Sequence, residues 1–244
     1  MKEVYNVNGK EHNSAHSIHA SRPVLFCTPR QARALLSEGR SLVLFVRHGL
    51  TDWNVAMRLQ GRTNVPLNDD GHAQAVKLAE LISGVNDKLQ ICEVYSSPLS
   101  RAKDSAQYIS EALLGKDPTV CECLIERDYS VLEGLTMAQR KQKFTDTGTY
   151  PTNVESSVSA AIRMKKAALD IYEKTGNENT VFVTHGGVIN ALFSYLTRGR
   201  AGNSRSLSAN CSIALAASCK TDIIPLAFNL TDESFEKYIN EIYE

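Results

Sequence analysis

Two histidines, two arginines and a glutamate stand where a folded chain can present them. Arg47-His48 closes the apolar run LVLFV ahead of Gly49, and His185 closes the run TVFVT ahead of Gly186-Gly187. Arg101 follows Ser96-Ser97-Pro98-Leu99-Ser100, and Glu126 follows the run 120–125. An imidazole has an ordinary pKa of about 6.5, so at physiological pH its neutral nitrogen is a competent nucleophile. Arginine forks match phosphate oxygens and stay charged, so Arg47 and Arg101 could stabilise a transferring phosphoryl group. His185, beside the N–H groups of a helix start, would add donors. Glu126 could protonate a leaving oxygen and later deprotonate a water. Such chemistry requires no metal and no cofactor, because the arginines supply the positive charge. Taken singly, a strand-end histidine can be structural, a first-turn arginine solvated and a glutamate superficial. Their joint fit to one mechanism points to an anion or phosphate site.

The elements must bring these residues together. Residues 42–46 are apolar without alternation and β-branched at Val43 and Val46, which predicts a strand buried on both faces. Gly49 then permits a tight turn. Residues 91–96, 120–125, 180–184 and 212–217 predict further strands, with a short one at 24–27, so Glu126 is expected to end a strand. Thr28 and Pro29 open a helix closed by Gly39, and Asn68 caps another that runs to about Ser83. Further helices are predicted from Ser97-Pro98 to about Leu114, then over 155–174, 188–196 and 232–243. Residues 127–153, interrupted by Gly134, Gly148 and Pro151, read as a lid over a site. Strands alternating with helices predict an α/β fold with a mostly parallel sheet covered on both faces, in one domain over 23–244. The carboxyl ends of parallel strands share one edge, where these side chains can converge.

Residues 1–22 form a polar arm carrying His12, His16 and His19, without the apolar stretch of a secretory signal. The 27 basic and 27 acidic residues balance, which argues against a nucleic-acid or membrane-surface partner. No stretch approaches the roughly 18 apolar residues of a membrane span. Cys27, Cys92 and Cys121 lie in or beside apolar runs and read as small buried hydrophobes in a reducing, cytoplasmic setting. Cys121-x-Cys123 lacks the second pair or nearby histidine of a zinc site, so no metal site is expected.

The segment Arg47-His48-Gly49-Leu50-Thr51-Asp52-Trp53-Asn54 resembles the RHGxTxWN signature of the histidine phosphatase superfamily, which includes the cofactor-dependent phosphoglycerate mutases. The resemblance continues through Gln60-Gly61-Arg62-x-Asn64-x-Pro66-Leu67, Gly71, Ser96-Ser97-Pro98-Leu99-x-Arg101-Ala102, Leu124-x-Glu126-Arg127 and Val183-Thr184-His185-Gly186-Gly187. It implies a three-layer α/β/α sandwich, in agreement with the order of strands and helices. It also implies that His48 is the phosphorylated nucleophile, that Arg47, Arg101 and His185 form the phosphate pocket, and that Glu126 is the proton donor. Asn54 would bind the phosphoryl group, Gln60 and Gly61 would line the pocket mouth, and Gly186 would offer its backbone N–H.

Departures from the family pattern bear on the reaction. Between Glu126 and His185 the chain lacks the long insertion with paired arginines that helps mutases hold a bisphosphate. Gly187 stands where mutases typically carry Asn, Ser130 where a Gly is usual, and Glu133-Gly134 resembles the phosphatases' WEG without its Trp. The preferred reading is a metal-independent phosphomonoester hydrolase acting on a phosphorylated small molecule. A phosphoglycerate mutase is the second reading, and a non-catalytic phosphate-binding module the third. Arg62, Arg127, Arg140 and Lys143 suggest an anionic leaving group such as a sugar phosphate or phosphoglycerate. Oligomeric state cannot be read from the sequence.

Overall fold

The apolar run that ends in Arg47-His48 is the centre of a seven-stranded sheet. A computed structural model describes residues 22–149, 151–203 and 206–244; the polar arm with its three histidines lies outside them, apart from Arg22. In chain order the strands are β1 (Val24–Leu25), β2 (Ser41–Arg47), β3 (Ile91–Ser96), β4 (Thr119–Val120), β5 (Asn179–Thr184), β6 (Ile213–Ser218) and β7 (Ile223–Leu230). The helices are α1 (Pro29–Ser37), α2 (Asp52–Val55), α3 (Asp69–Ser83), α4 (Asn86–Leu89), α5 (Ser100–Leu114), α6 (Met137–Thr147), α7 (Ser157–Thr175), α8 (Gly186–Leu196) and α9 (Asp232–Tyr243). None of the described helices is long and apolar enough to cross a membrane.

The strand order is β1-β7-β6-β2-β5-β3-β4. Strands β2, β5, β3 and β4 are parallel neighbours, as the alternation of strands and helices predicts. β6 joins β2 antiparallel, and β7 and β1 extend that side. In β2, Leu42, Leu44 and Val46 face one core while Val43 and Phe45 face the other. That two-residue period divides the molecule into three layers. The first core takes Ala79 and Ile82 of α3, Ala106 and Ile109 of α5, and Phe235 and Ile239 of α9. The second takes Met164 and Ile171 of α7 and Leu192 and Phe193 of α8. Phe45 meets Phe182 and Phe193 edge to face, at 5.4 and 5.8 Å between centroids.

Helix starts follow the expected capping chemistry. Thr28 and Gln31 form a capping box with Pro29 in the first turn, and Asn68 accepts the Gly71 N–H at the start of α3. Four expectations need correction. The strand predicted over 120–125 survives only as β4; Cys121 donates its N–H to Ser96, and Glu122–Leu124 then tightens into a 3₁₀ turn. Glu126 therefore follows a turn and does not end a strand. Strand β7 was not anticipated, and 212–217 is thus not the final strand. The helix predicted over 155–174 begins at Ser157, capped by Ser156. Cys121 is not a free thiol but is joined to Cys123 by a disulfide; Cys27, Cys92, Cys211 and Cys219 are free. The 127–153 excursion contains a 3₁₀ turn, Ser130–Leu132, and the solvent-facing helix α6.

Candidate active site

Parallel pairing sets the two histidines side by side. Arg47 is in register with Thr184, and the His48 N–H donates to the Thr184 carbonyl at 3.0 Å. His48 and His185 thus leave neighbouring strands at the same level, with ring centroids 5.2 Å apart. On the other side of β5, Ser96 is in register with Val183, and α5 begins four residues later. That places Arg101 in the first turn of α5, pointing back over the sheet edge.

Arg101, 1% exposed, ties three parts of the site together. Its Nε donates to His48 Nε2 at 3.2 Å, Nη1 to the Thr63 carbonyl at 2.9 Å and Nη2 to the Gly61 carbonyl at 2.8 Å. His48 Nδ1 lies 2.7 Å from the Gly49 carbonyl. A carbonyl only accepts, so the ring proton sits on Nδ1 and Nε2 carries the lone pair. Burial, then the charges of Arg101 and Arg47, hold the His48 imidazole well below its ordinary pKa of 6.5. His185 is held down by burial and by the same cations. Burial above all pushes Arg101 down to about 10, which leaves it charged at neutral pH.

Several buried polar atoms in this cluster have no partner among the described residues. They are Arg47 Nε, His185 Nδ1 and Gln60 Oε1. Arg47 is otherwise held by Nη1 donating to the Ser208 carbonyl at 2.7 Å, and His185 Nε2 meets Ser97 Oγ at 2.7 Å. Buried donors are rarely left unpaired, and two of these three belong to groups suited to an anion. Gly186 lets the Arg47 guanidinium lie against the start of α8, since a Cβ there would stand 3.1 Å from Nε.

Glu126, 7% exposed, is held by backbone donors: Arg127 N–H to Oε1 and Gly187 N–H to Oε2, both at 2.8 Å. The segment before it is clamped as well. Arg163 of α7 donates to the carbonyls of Cys123 and Ile125 at 2.9 Å, and Thr184 Oγ1 donates to that of Leu124 at 2.6 Å. Gly187 has a steric reason: a Cβ would stand 2.5 Å from Glu126 Oε1 and 2.6 Å from the Tyr129 hydroxyl. A side chain at this position would have to displace the ends of those two side chains.

The binding candidates sit on the next layer. Asn54 Oδ1 accepts from the Thr51 N–H at 3.3 Å, from Thr51 Oγ1 at 3.1 Å and from Asn210 Nδ2 at 3.1 Å. Gln60 is buried, and Gly61 offers its carbonyl to Arg101. Arg62 and Arg127, expected to meet an anionic leaving group, have partners inside the protein. Arg62 pairs with Asp128 at 3.5 Å and Glu155 at 3.7 Å, and Arg127 Nη2 donates to the Glu155 carbonyl at 2.8 Å. Residues given no role from sequence also matter. Glu133 accepts from the N–H groups of Arg62 and Thr63 at 2.9 Å and from that of Tyr129 at 3.2 Å, binding the 127–153 excursion to the 60–63 loop. Its place in the motif after Glu126 was the only signal for it. Among the described residues no group of three or more His, Cys, Asp or Glu could hold a metal ion.

Residues 43–222 match the family model described as "Histidine phosphatase superfamily (branch 1)". The chain is 33% identical over 158 residues to the uncharacterized phosphatase PhoE of Bacillus subtilis, covering 64% of this chain and 78% of that protein. It is 32% identical over 166 residues to the metal-independent phosphoserine phosphatase of Arabidopsis thaliana, covering 64% and 68%. Among solved structures, it resembles a mycobacterial glucosyl-3-phosphoglycerate phosphatase bound to VO3, with a TM-score of 0.67 and 27% identity, over 78% of this chain and 100% of that one.

Proposed function

The chain belongs to the histidine phosphatase superfamily as a phosphatase, and from that premise we propose that it hydrolyses phosphomonoesters through a phosphohistidine on His48. The observation that carries this reading is the His48 ring: neutral, protonated on Nδ1, with Nε2 beside the Arg101 guanidinium. In the first step Nε2 attacks phosphorus, the ester P–O bond breaks, and Glu126 gives its proton to the departing oxygen, releasing the alcohol. Arg47, Arg101 and His185 bear the charge on the equatorial oxygens, joined by Asn54 and the Gly186 N–H. In the second step Glu126, now a carboxylate, takes a proton from water as its oxygen attacks the phosphohistidine. The N–P bond breaks, inorganic phosphate leaves and His48 is restored. Gln60 and Gly61 border the entrance.

The substrate class is a phosphorylated small molecule, with phosphoserine and phosphoglycerate derivatives the first to test because the relatives named above act on such compounds. The internal pairing of Arg62 and Arg127 favours hydrolysis over a mutase's grip on two phosphates. A cytoplasmic location goes with this reading; four cysteines are free, as a reducing setting favours, whereas the Cys121–Cys123 disulfide does not add to that support.

The test is turnover of para-nitrophenyl phosphate, phosphoserine and 3-phosphoglycerate in EDTA, with and without a bisphosphoglycerate primer, beside His48→Ala. Phosphate release that survives EDTA and vanishes in His48→Ala is the expected result. Primer-dependent interconversion of phosphoglycerates without phosphate release would make the protein a mutase. Tight phosphate binding without turnover would make it a binding module.

A further inference from the structure

Asn210 lies between α8 and β6, outside every motif that carries the family resemblance. Resting on the phosphohistidine reading, we propose that Asn210 is a positioning residue for phosphoryl transfer, its one side-chain amide setting both the orientation of Asn54 and the backbone that holds His48. Asn210 Nδ2 stands 3.1 Å from the His48 carbonyl, 3.0 Å from the Gly49 carbonyl and 3.1 Å from Asn54 Oδ1. All three are acceptors, so this amide nitrogen is the donor they share.

The main chain around Asn210 is fixed independently of that amide. Ala209 N–H donates to Asn229 Oδ1 at 2.7 Å, and Cys211 N–H donates to the carbonyls of Arg47 at 3.0 Å and His48 at 3.3 Å. The side chain therefore works from an anchored base. One of its acceptors, the Gly49 carbonyl, is the group that keeps the ring proton on His48 Nδ1. Another, Asn54 Oδ1, already takes two donors from Thr51. With Asn210 as the third, the oxygen is fully engaged, and turning the amide over would set its NH₂ against donors. The Asn54 Nδ2 hydrogens are then left for the phosphoryl oxygens. The mutual cap of Thr51 and Asn54 does not involve Asn210, so loss of Asn210 is expected to affect orientation and not whether α2 forms.

The test measures kcat and KM for para-nitrophenyl phosphate in wild type, Asn210→Ala, Asn210→Asp, Asn54→Ala and the double variants, with thermal melting of each. Asn210→Ala is expected to lower kcat/KM about tenfold, with part of the loss in KM, but about threefold or less when Asn54 is already Ala. Asn210→Asp keeps the shape but turns an acceptor towards three acceptors, so it should lose at least as much. A merely structural role would lower the melting temperature and cost the same factor in both backgrounds. Equal losses in the two backgrounds, or wild-type kinetics in either single variant, overturn the proposal. Should Asn210→Ala fail to fold, Asn210→Asp with and without Asn54→Ala is read the same way. Activity that persists in His48→Ala would instead bring down the underlying phosphohistidine reading, an outcome separate from Asn210 variants that behave as wild type in an enzyme that His48→Ala silences.

Discussion

His48 and His185 are kept neutral by the burial and the arginines that surround them, and this has a cost in acid. In the unfolded chain each titrates at about 6.5; in the folded protein both pKa values lie lower. Below pH 6.5 the unfolded chain therefore binds protons that the native state refuses. Stability falls on acidification by about 1.4 kcal/mol per pH unit for each histidine until its folded pKa is reached. Above pH 7 the pair adds no slope. Melting temperatures measured from pH 8 to pH 5 should show this bend, and His48→Ala should remove one histidine's share. On the proposed mechanism the same lowering keeps His48 unprotonated for attack, so the acid limb of kcat/KM set by His48 should lie below pH 6.5. A second residue carries strain of another kind. Ser130 has φ 50°, in the left-handed region that favours Gly. Ser130→Gly should stabilise the protein by about 1 kcal/mol, read as a shift in denaturation midpoint.

Elements explain why part of this site was legible in the sequence. Arg47, His48 and His185 end uninterrupted apolar runs, and parallel neighbours carry their carboxyl ends to one edge, so periodicity alone brings them together. Arg101 follows a Ser-Pro turn into a helix, which is equally local. Glu126 sits at the right place in the chain for the wrong reason, because the run before it curls into a 3₁₀ turn. Strand β7 was missed because Pro225 and Asn229 interrupt its pattern. Pro225 lies outside the two-residue register with β1, and Asn229 takes φ 61°. The contacts of Glu133 and Asn210 were illegible for a different reason: both are loop residues with partners remote in sequence, 162 residues away for Asn210 and His48. No local pattern encodes such a contact. Glu133 joins the 127–153 excursion to the 60–63 loop, whose carbonyls hold Arg101. Glu133→Ala leaves several backbone donors unpaired and should cost about 2 kcal/mol of stability. Through Arg101 it should also lower kcat/KM about tenfold or more. Glu133→Gln, which keeps an acceptor oxygen, should lose less in both urea denaturation and turnover.

At the scale of the whole molecule, the C-terminal helix acquires a role that the sequence did not assign. Phe235, Tyr238, Ile239 and Ile242 of α9 are buried in the same core as β2, α3 and α5. Burial of such side chains contributes roughly 1.5–3 kcal/mol each, so four approach the total stability of an ordinary domain. Removal of residues 232–244 should leave a chain without a cooperative melting transition, even though the deletion touches no residue of the site. The antiparallel flank of β6, β7 and β1 serves the site more directly. The N–H of Arg47 donates to the carbonyl of Ser212, just before β6, at 3.1 Å.

That bond, with those from His48 N–H to Thr184 and from Ser97 N–H to Val183, places the main-chain amides of Arg47, His48 and Ser97 inside the central ladder. Amides in such a position exchange with solvent deuterium only when the whole domain opens, whereas those of the exposed helix α6 exchange through local fraying. Hydrogen–deuterium exchange should therefore be slower at the amides of Arg47, His48 and Ser97 than along α6. Mild heating should loosen α6 long before it disturbs the edge that carries Arg47 and His48.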